Sequence, residues 1–251
     1  MCSLSWFKDA DNALHLFFNR DERKTRSRAL HPAVYQDDTT QWISPVDPDG
    51  GGTWLAVNQS GLIVALLNNY DSNVTSVDEL MALMKAKLQE RTWTSRGLLT
   101  TALVKHASPE QAAATLTAMD LADYMPFCVL LASRDAQYFY CWDGEKLVKE
   151  QATSFISSCA VNADRVLASR QAHYASHYVA DVTSAIAFHS SHHTDDHTHT
   201  ICMHREEAHT VSLSHIRVDA DTIQFDYWDG NPCQQPEKRS ISCPLEASLC
   251  G

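Results

Sequence analysis

The sequence predicts a layered α+β fold with largely antiparallel sheets. Three observations carry this. Extended segments come in adjacent pairs joined by short turn sequences. Helical segments arrive in blocks, not after every strand, which argues against a doubly wound parallel sheet. Some strands are apolar at consecutive positions and must be covered on both faces. Two sheets packed together with helices outside them satisfy all three. No internal repeat breaks the pattern, and at 251 residues one domain over 1–251 is expected.

Residues 2–8 and 13–18 read as strands joined by Asp9-Ala10-Asp11-Asn12. With residues 9–12 as the loop, Phe7 opposes Leu14, Ser5 opposes Leu16 and Cys2 opposes Asn19. Residues 19–52 are polar and read as irregular, ending in Pro48-Asp49-Gly50-Gly51-Gly52, where three of the eight glycines invite unusual backbone conformations. Strands fit 53–58 and 62–68, the second nearly all apolar. The capping box Ser76-Val77-Asp78-Glu79 opens a helix to about residue 91, with Leu80, Leu83, Met84 and Leu88 at helical spacing. A second helix fits 95–106, and Ser108-Pro109-Glu110-Gln111 opens a third to about residue 120.

Strands then fit 127–132, 136–142, 146–150 and 154–161, with Asp143-Gly144 as a hairpin signal. A helix fits 163–180. Strands fit 199–204, 209–217 and 222–228, and from about residue 229 a polar tail is expected, ordered only by packing.

Acidic residues outnumber basic ones by 31 to 20, which argues against a nucleic-acid partner or attraction to an anionic membrane. No basic leader precedes an apolar stretch and no apolar run is long enough to span a bilayer, so a soluble cytoplasmic protein is expected. The eight cysteines, at 2, 128, 141, 159, 202, 233, 243 and 250, form no Cys-x-x-Cys pair. Free thiols are the expectation in a reducing compartment, with Cys128, Cys141, Cys159 and Cys202 as small buried hydrophobes. Cys233, Cys243 and Cys250 lie in the tail and could pair on oxidation.

Cys2 follows the initiator methionine. Removal of Met1 would leave a cysteine with a free α-amine, whose reference pKa is roughly 8. That amine can take the thiol proton and later return it to a leaving group. The register brings Asn19-Arg20-Asp21-Glu22 to the head of the first strand. Arg20 there would favour the thiolate, and Asp21 would hold or orient the amine. Adjacent strand residues point to opposite faces, so Arg20 and Asp21 can both face Cys2 only if the strand ends there. The competing reading is a small buried cysteine beside a solvated turn.

The run Met1-Cys2, then Phe18-Asn19-Arg20-Asp21-Glu22, then Gly51-Gly52-Thr53-Trp54-Leu55 closely resembles the NRDE family of transport and Golgi organisation protein 2 and its bacterial relatives. Ser95-Arg96-Gly97 resembles a weaker third marker. The family resembles choloylglycine hydrolases and penicillin V acylases. The resemblance therefore implies a four-layer αββα N-terminal-nucleophile hydrolase sandwich. It also implies a cysteine amidohydrolase or acyl-transfer activity on a non-peptide C–N bond.

It marks Cys2, Arg20, Asp21, Asn68 and Asn162 as catalytic, with Asn68 and Asn162 as oxyanion donors. Asn19, Glu22, Gly51, Gly52 and Trp54 are marked as substrate-binding or structural. Asn162 precedes Ala163-Asp164-Arg165, and a helix N-cap is the preferred reading of it. Relatives carry Leu-Ser-Asn where this chain has Ala160-Val161-Asn162, and the later arginine of the acylases has no counterpart here. The resemblance also allows a non-enzymatic carrier of haem or a lipid-related ligand on the same fold. Either way the partner is a small molecule.

His189, His192, His193, His197 and His199, with Asp195 and Asp196, offer donors that zinc, copper or nickel accept. A flexible polar loop provides neither rigid ligand positions nor supporting partners, so a solvated loop is expected. No metal and no cofactor is assigned from the sequence.

Overall fold

The computed structural model describes residues 2–70 and 74–246. Its strands are β1 Cys2–Lys8, β2 Leu14–Arg23, β3 Leu30–Gln36, β4 Gln41–Val46, β5 Leu55–Asn58, β6 Ile63–Asn68, β7 Phe127–Ala132, β8 Gln137–Trp142, β9 Leu147–Glu150, β10 Phe155–Ser158, β11 Ala208–Val218, β12 Thr222–Asp229 and β13 Lys238–Pro244. The helices are α1 Val77–Glu90, α2 Arg96–Leu103, α3 Pro109–Ala118, α4 Ala163–His177 and α5 Val182–His189.

The strands form two antiparallel sheets, ordered β10-β1-β2-β11-β12-β13 and β3-β4-β5-β6-β7-β8-β9. Between them lies an apolar core that includes Leu4, Leu16, Phe18, Leu55, Ile63, Leu130, Ile216 and Phe225. Strand β6 shows why its sequence is nearly all apolar. Ile63, Ala65 and Leu67 face the other sheet, while Val64 and Leu66 pack against Leu99, Leu103 and Leu116 of α2 and α3. On the far side Phe17 and Leu213 pack against Ala185 of α5, and Phe155 packs against Phe188. The result is the four-layer αββα sandwich.

The structure corrects the sequence expectations in several places. The first hairpin is shifted by one residue: Cys2 opposes Arg20, Ser3 opposes Asn19 and Phe7 opposes His15. Asn12 takes a left-handed conformation (φ 61°) and the Asp9 N–H bonds the Ala13 carbonyl, so the loop uses five residues, 9–13. Strand β2 also runs on through the polar quartet to Arg23. The stretch 19–52 is not irregular, since it contains β3 and β4. Both carry a proline, Pro32 and Pro45, and β3 lies at a sheet edge, half-exposed and bulged, so the pattern was masked.

The helix expected over 163–180 stops at His177, and Asp181 caps α5 by accepting from the Ser184 N–H. Residues 199–204 are not a strand. The Cys202 N–H bonds the Ser191 carbonyl in a loop, and backbone to backbone the segment meets β11 only through the Met203 carbonyl and an isolated His204–His209 bridge. The tail carries an edge strand, β13, paired with β12. Cys128 and Cys141, expected free, are directly opposed across β7 and β8 and form a disulfide. Cys250 lies outside the described residues. Helix α1 keeps its expected spacing, but only its first turn is covered. Val77 and Leu80 pack near Val74 and Val161, while Leu83 and Leu88 stay exposed.

Candidate active site

Cys2 heads β1, a strand flanked on both sides by others of its sheet, with Arg20 opposite on β2 and Ser158 opposite on β10. Its backbone N–H donates to Ser158 Oγ at 3.1 Å, and Ser157 Oγ donates to its carbonyl at 3.1 Å. The side chain turns to the inter-sheet side with Leu4 and Trp6 and is 9% exposed. Burial pushes the thiol above its usual value. The Asp21 backbone N–H and the Arg20 guanidinium pull it down without offsetting the burial. The neutral thiol is therefore the resting form.

Because β2 continues past Phe18, its quartet splits between two faces. Arg20 lies on the Cys2 side, stacked 4.1 Å over the Trp54 ring, with Glu22 at 3.2 Å and Asp47 at 3.6 Å. Asn19 and Asp21 face the helix layer. Asn19 Nδ2 donates to the carbonyls of His189 (2.8 Å) and Ile201 (3.1 Å), clamping both ends of the histidine-rich segment. Asp21 Oδ1 accepts from Thr210 Oγ1 at 2.6 Å. A bulge in β11 between Thr210 and Ser212 turns Thr210 onto that face. Asp21 Oδ2 is buried with no hydrogen bond and lies 3.8 Å from Arg170. Burial pushes the Asp21 carboxyl up, and Arg170 opposes it. In the antiparallel register Asp21 stands one residue beyond the partner of Cys2, alongside the start of β1.

Arg170 is an addition that the sequence reading missed, although it recurs four residues after the core-facing Val166 on α4. It is fully buried. Its guanidinium donates to Ser3 Oγ (3.2 Å), Ser157 Oγ (2.8 Å) and the carbonyls of His199 (3.0 Å) and Thr200 (2.7 Å). Arg96, inside the third marker, is a second addition. It is half-buried, donates to the Pro126 carbonyl at 2.7 Å and lies within electrostatic range of Tyr70, Cys2 and Glu22.

The glycine markers meet in space. The Thr53 N–H bonds the Gly97 carbonyl at 3.1 Å, and a side chain at Gly52 would overlap the Gly97 backbone. Gly51 sits at φ 69° and closes the turn that presents Asp47 to Arg20 and Arg26.

A cavity of about 260 Å³ opens beside this end of β1, lined by residues that include Asn68, Tyr70, Cys128, Ile156 and Ser158. Asn68 ends β6 and donates to Tyr70 Oη at 3.1 Å. It shares the cavity with Ser158, the partner of the Cys2 N–H. Asn162 is exposed and left-handed (φ 51°). It stands at the N-cap of α4 without a side-chain cap bond, its amide donating to the Thr75 carbonyl at 3.4 Å. A larger cavity, about 480 Å³, lies at the other end of β1 around Trp6, Lys8 and Tyr178. It touches none of the marker residues.

The histidine-rich segment is the expected solvated loop over residues 194–197, which are exposed, but not at its start. His189 belongs to α5, is fully buried and bonds Ser5 Oγ at 2.8 Å. His192 and His204 come near Cys202 and Cys233. Cys202 and His204 lie just past the histidine run, but Cys233 comes from the turn after β12, and nothing in the histidine spacing points to it.

Residues 1–219 match the family described as Transport and Golgi organisation 2. No curated protein matches the sequence. Among solved structures, penicillin V acylase from Agrobacterium tumefaciens is similar at TM-score 0.55 and 10% identity, covering 96% of this chain and 86% of that one. The Caenorhabditis elegans orthologue of N-acylethanolamine-hydrolyzing acid amidase is similar at TM-score 0.55 and 9% identity, covering 86% and 92%. A variant of conjugated bile acid hydrolase from Clostridium perfringens gives TM-score 0.50 and 10% identity, covering 99% of each chain. At these identities the likeness establishes the N-terminal-nucleophile hydrolase fold. Among the described residues, no helix is long and apolar enough to cross a membrane.

Proposed function

This chain belongs to the Transport and Golgi organisation 2 family, and from that premise we propose that it is an N-terminal cysteine amidohydrolase acting on a small, non-peptide amide. The observation that supports this best is the setting of Cys2. It stands at the head of β1, with Arg20 opposite, an Asp21 carboxylate oxygen that makes no hydrogen bond beside the strand start and a cavity next to Ser158.

Removal of Met1 is the first requirement. The freed α-amine takes the Cys2 thiol proton, and the sulfur attacks the acyl carbon. Asp21 holds the resulting ammonium, and Arg20 favours the sulfur anion. The carbonyl oxygen becomes an oxyanion and accepts a hydrogen bond from the Asn68 amide, which has a second N–H beyond the one given to Tyr70. The C–N bond then breaks, and the ammonium returns its proton to the leaving amine. Water cleaves the thioester and restores the thiol. A neutral buried thiol needs such a base, because burial has removed most of the thiolate that solvent would allow.

The test is amine release from a panel of N-acyl amides by the wild type, Cys2→Ser and Cys2→Ala. Turnover by the wild type should fall by at least about 1,000-fold in Cys2→Ala, in line with removal of a covalent nucleophile. Equal turnover in both would sink the proposal.

A further inference from the structure

Four side chains outside the Cys2 site converge on one point: His192, Cys202, His204 and Cys233. Their ligand-type atoms all lie within 4.8 Å of one another. We propose that they form a tetrahedral Zn²⁺ site that staples the 190–204 segment to the turn after β12.

The geometry fits zinc. Bond lengths of roughly 2.3 Å to sulfur and 2.0–2.1 Å to nitrogen, at tetrahedral angles, require S···N separations of about 3.6 Å. His204 Nε2 lies 3.7 Å from Cys202 Sγ and 3.3 Å from Cys233 Sγ. Two thiolates and two imidazoles form a donor set that selects zinc over hard cations such as magnesium and calcium. Binding exchanges two thiol protons for one dication, so the completed site is neutral.

The positions are held by the fold. The Cys202 N–H bonds the Ser191 carbonyl at 3.1 Å, and the His204 N–H bonds the His197 carbonyl at 2.9 Å. Thr200 Oγ1 donates to the Cys202 carbonyl at 2.7 Å. The Met203 N–H donates at 2.8 Å to the Thr210 oxygen that in turn binds Asp21. Cys233 sits in the short 3-10 turn Pro232–Gln234. His192 follows α5, its ring stacked on His197 at 4.0 Å. A buried cysteine, Cys202, and ligands on pinned backbone are what the histidine run alone lacked.

The site has a structural consequence. The segment it would fix supplies the His199 and Thr200 carbonyls to Arg170 and the Ile201 carbonyl to Asn19. Zinc would therefore hold the layer behind Asp21 without touching the reacting atoms.

The experiment uses the full, tag-free chain purified under reducing conditions. Elemental analysis should find about one zinc per chain. Exchange with Co²⁺ should give the intense visible absorption and thiolate charge transfer of a tetrahedral cobalt–sulfur centre. Cys233→Ser and His192→Ala, both at incompletely buried positions, should weaken metal binding by more than the roughly 10–100-fold that loss of an outer-shell partner costs. Cys2→Ala should keep the metal. Metal well below stoichiometry after reconstitution of the folded wild type, or a cobalt spectrum without thiolate bands, would overturn the site. So would a Cys202–Cys233 disulfide in chain alkylated at lysis.

Discussion

The two faces of β2 carry the same four polar residues to opposite fates. On the inter-sheet face, Arg20 is stacked on Trp54 and paired with Glu22 and Asp47, whose side chains are 24% and 20% exposed. Water reaches those carboxylates, so the charges are cheap to hold. On the helix face, Asp21 and Arg170 are both sealed, and their charges are held by Thr210, by two serine hydroxyls and by two backbone carbonyls. The first face tunes the cysteine, and the second holds the sandwich end together. One tetrapeptide on one strand performs both tasks because alternate residues look opposite ways.

Removing the sealed charge should have the largest effect. Arg170→Met leaves the Asp21 carboxylate buried without its cation, and urea unfolding should show a loss of about 3–5 kcal/mol. Adding Asp21→Asn to that variant should recover part of the loss. A loss below 1 kcal/mol in the single variant would mean the pair is not sealed as described. Arg20→Met should cost less than Arg170→Met by the same measurement, because its partners Glu22 and Asp47 keep contact with water although Arg20 itself is buried. Its larger consequence should be a rise in the Cys2 thiol pKa, seen as slower alkylation of Cys2 by iodoacetamide at fixed pH.

Acid should attack the helix face next. His189 is buried there, its Nε2 bonded to Ser5 Oγ, and burial lowers its pKa to about 3. The unfolded chain binds that proton near pH 6.5 while the native state does not. Stability from this residue is therefore complete above about pH 6.5 and is lost as pH falls toward 3, at roughly 1.4 kcal/mol per pH unit. His189→Gln should flatten the slope between pH 6.5 and 4 in denaturant titrations. An unchanged slope would remove His189 as its source.

Gly52→Ala should follow, at about 1–3 kcal/mol, because the new methyl meets the Gly97 backbone, which has no side chain to yield. Ser76→Ala should be smallest, about 1 kcal/mol and confined to α1, since only the first turn of that helix is covered. Amide exchange localised to α1 would register it; protection changes elsewhere would contradict the isolation of the helix.

The contrast also explains what the sequence could reveal. Strands β1, β2, β5 and β6 were legible because their apolar residues alternate or run continuously against a full core. The hairpin register was not, because one left-handed residue, Asn12, adds a position that composition does not announce. Strands β3 and β13 sit at sheet edges, where polar, half-exposed residues look like loop. Cys2, Arg20 and Asp21 were legible as a group, but not their division between faces, which depends on β2 continuing to Arg23. Arg170 and Thr210 were hidden because their partners lie far away along the chain. A charged residue at a core-facing helical position was the available clue to Arg170.

Whether the chemistry at Cys2 exists at all depends on its α-amine. Intact mass of the protein purified from cells, with N-terminal sequencing, decides this. The proposed mechanism requires loss of one methionine and a first residue of cysteine. A chain that keeps Met1 has no free amine at Cys2, and the thiol buried beside Arg20 would then be a structural residue.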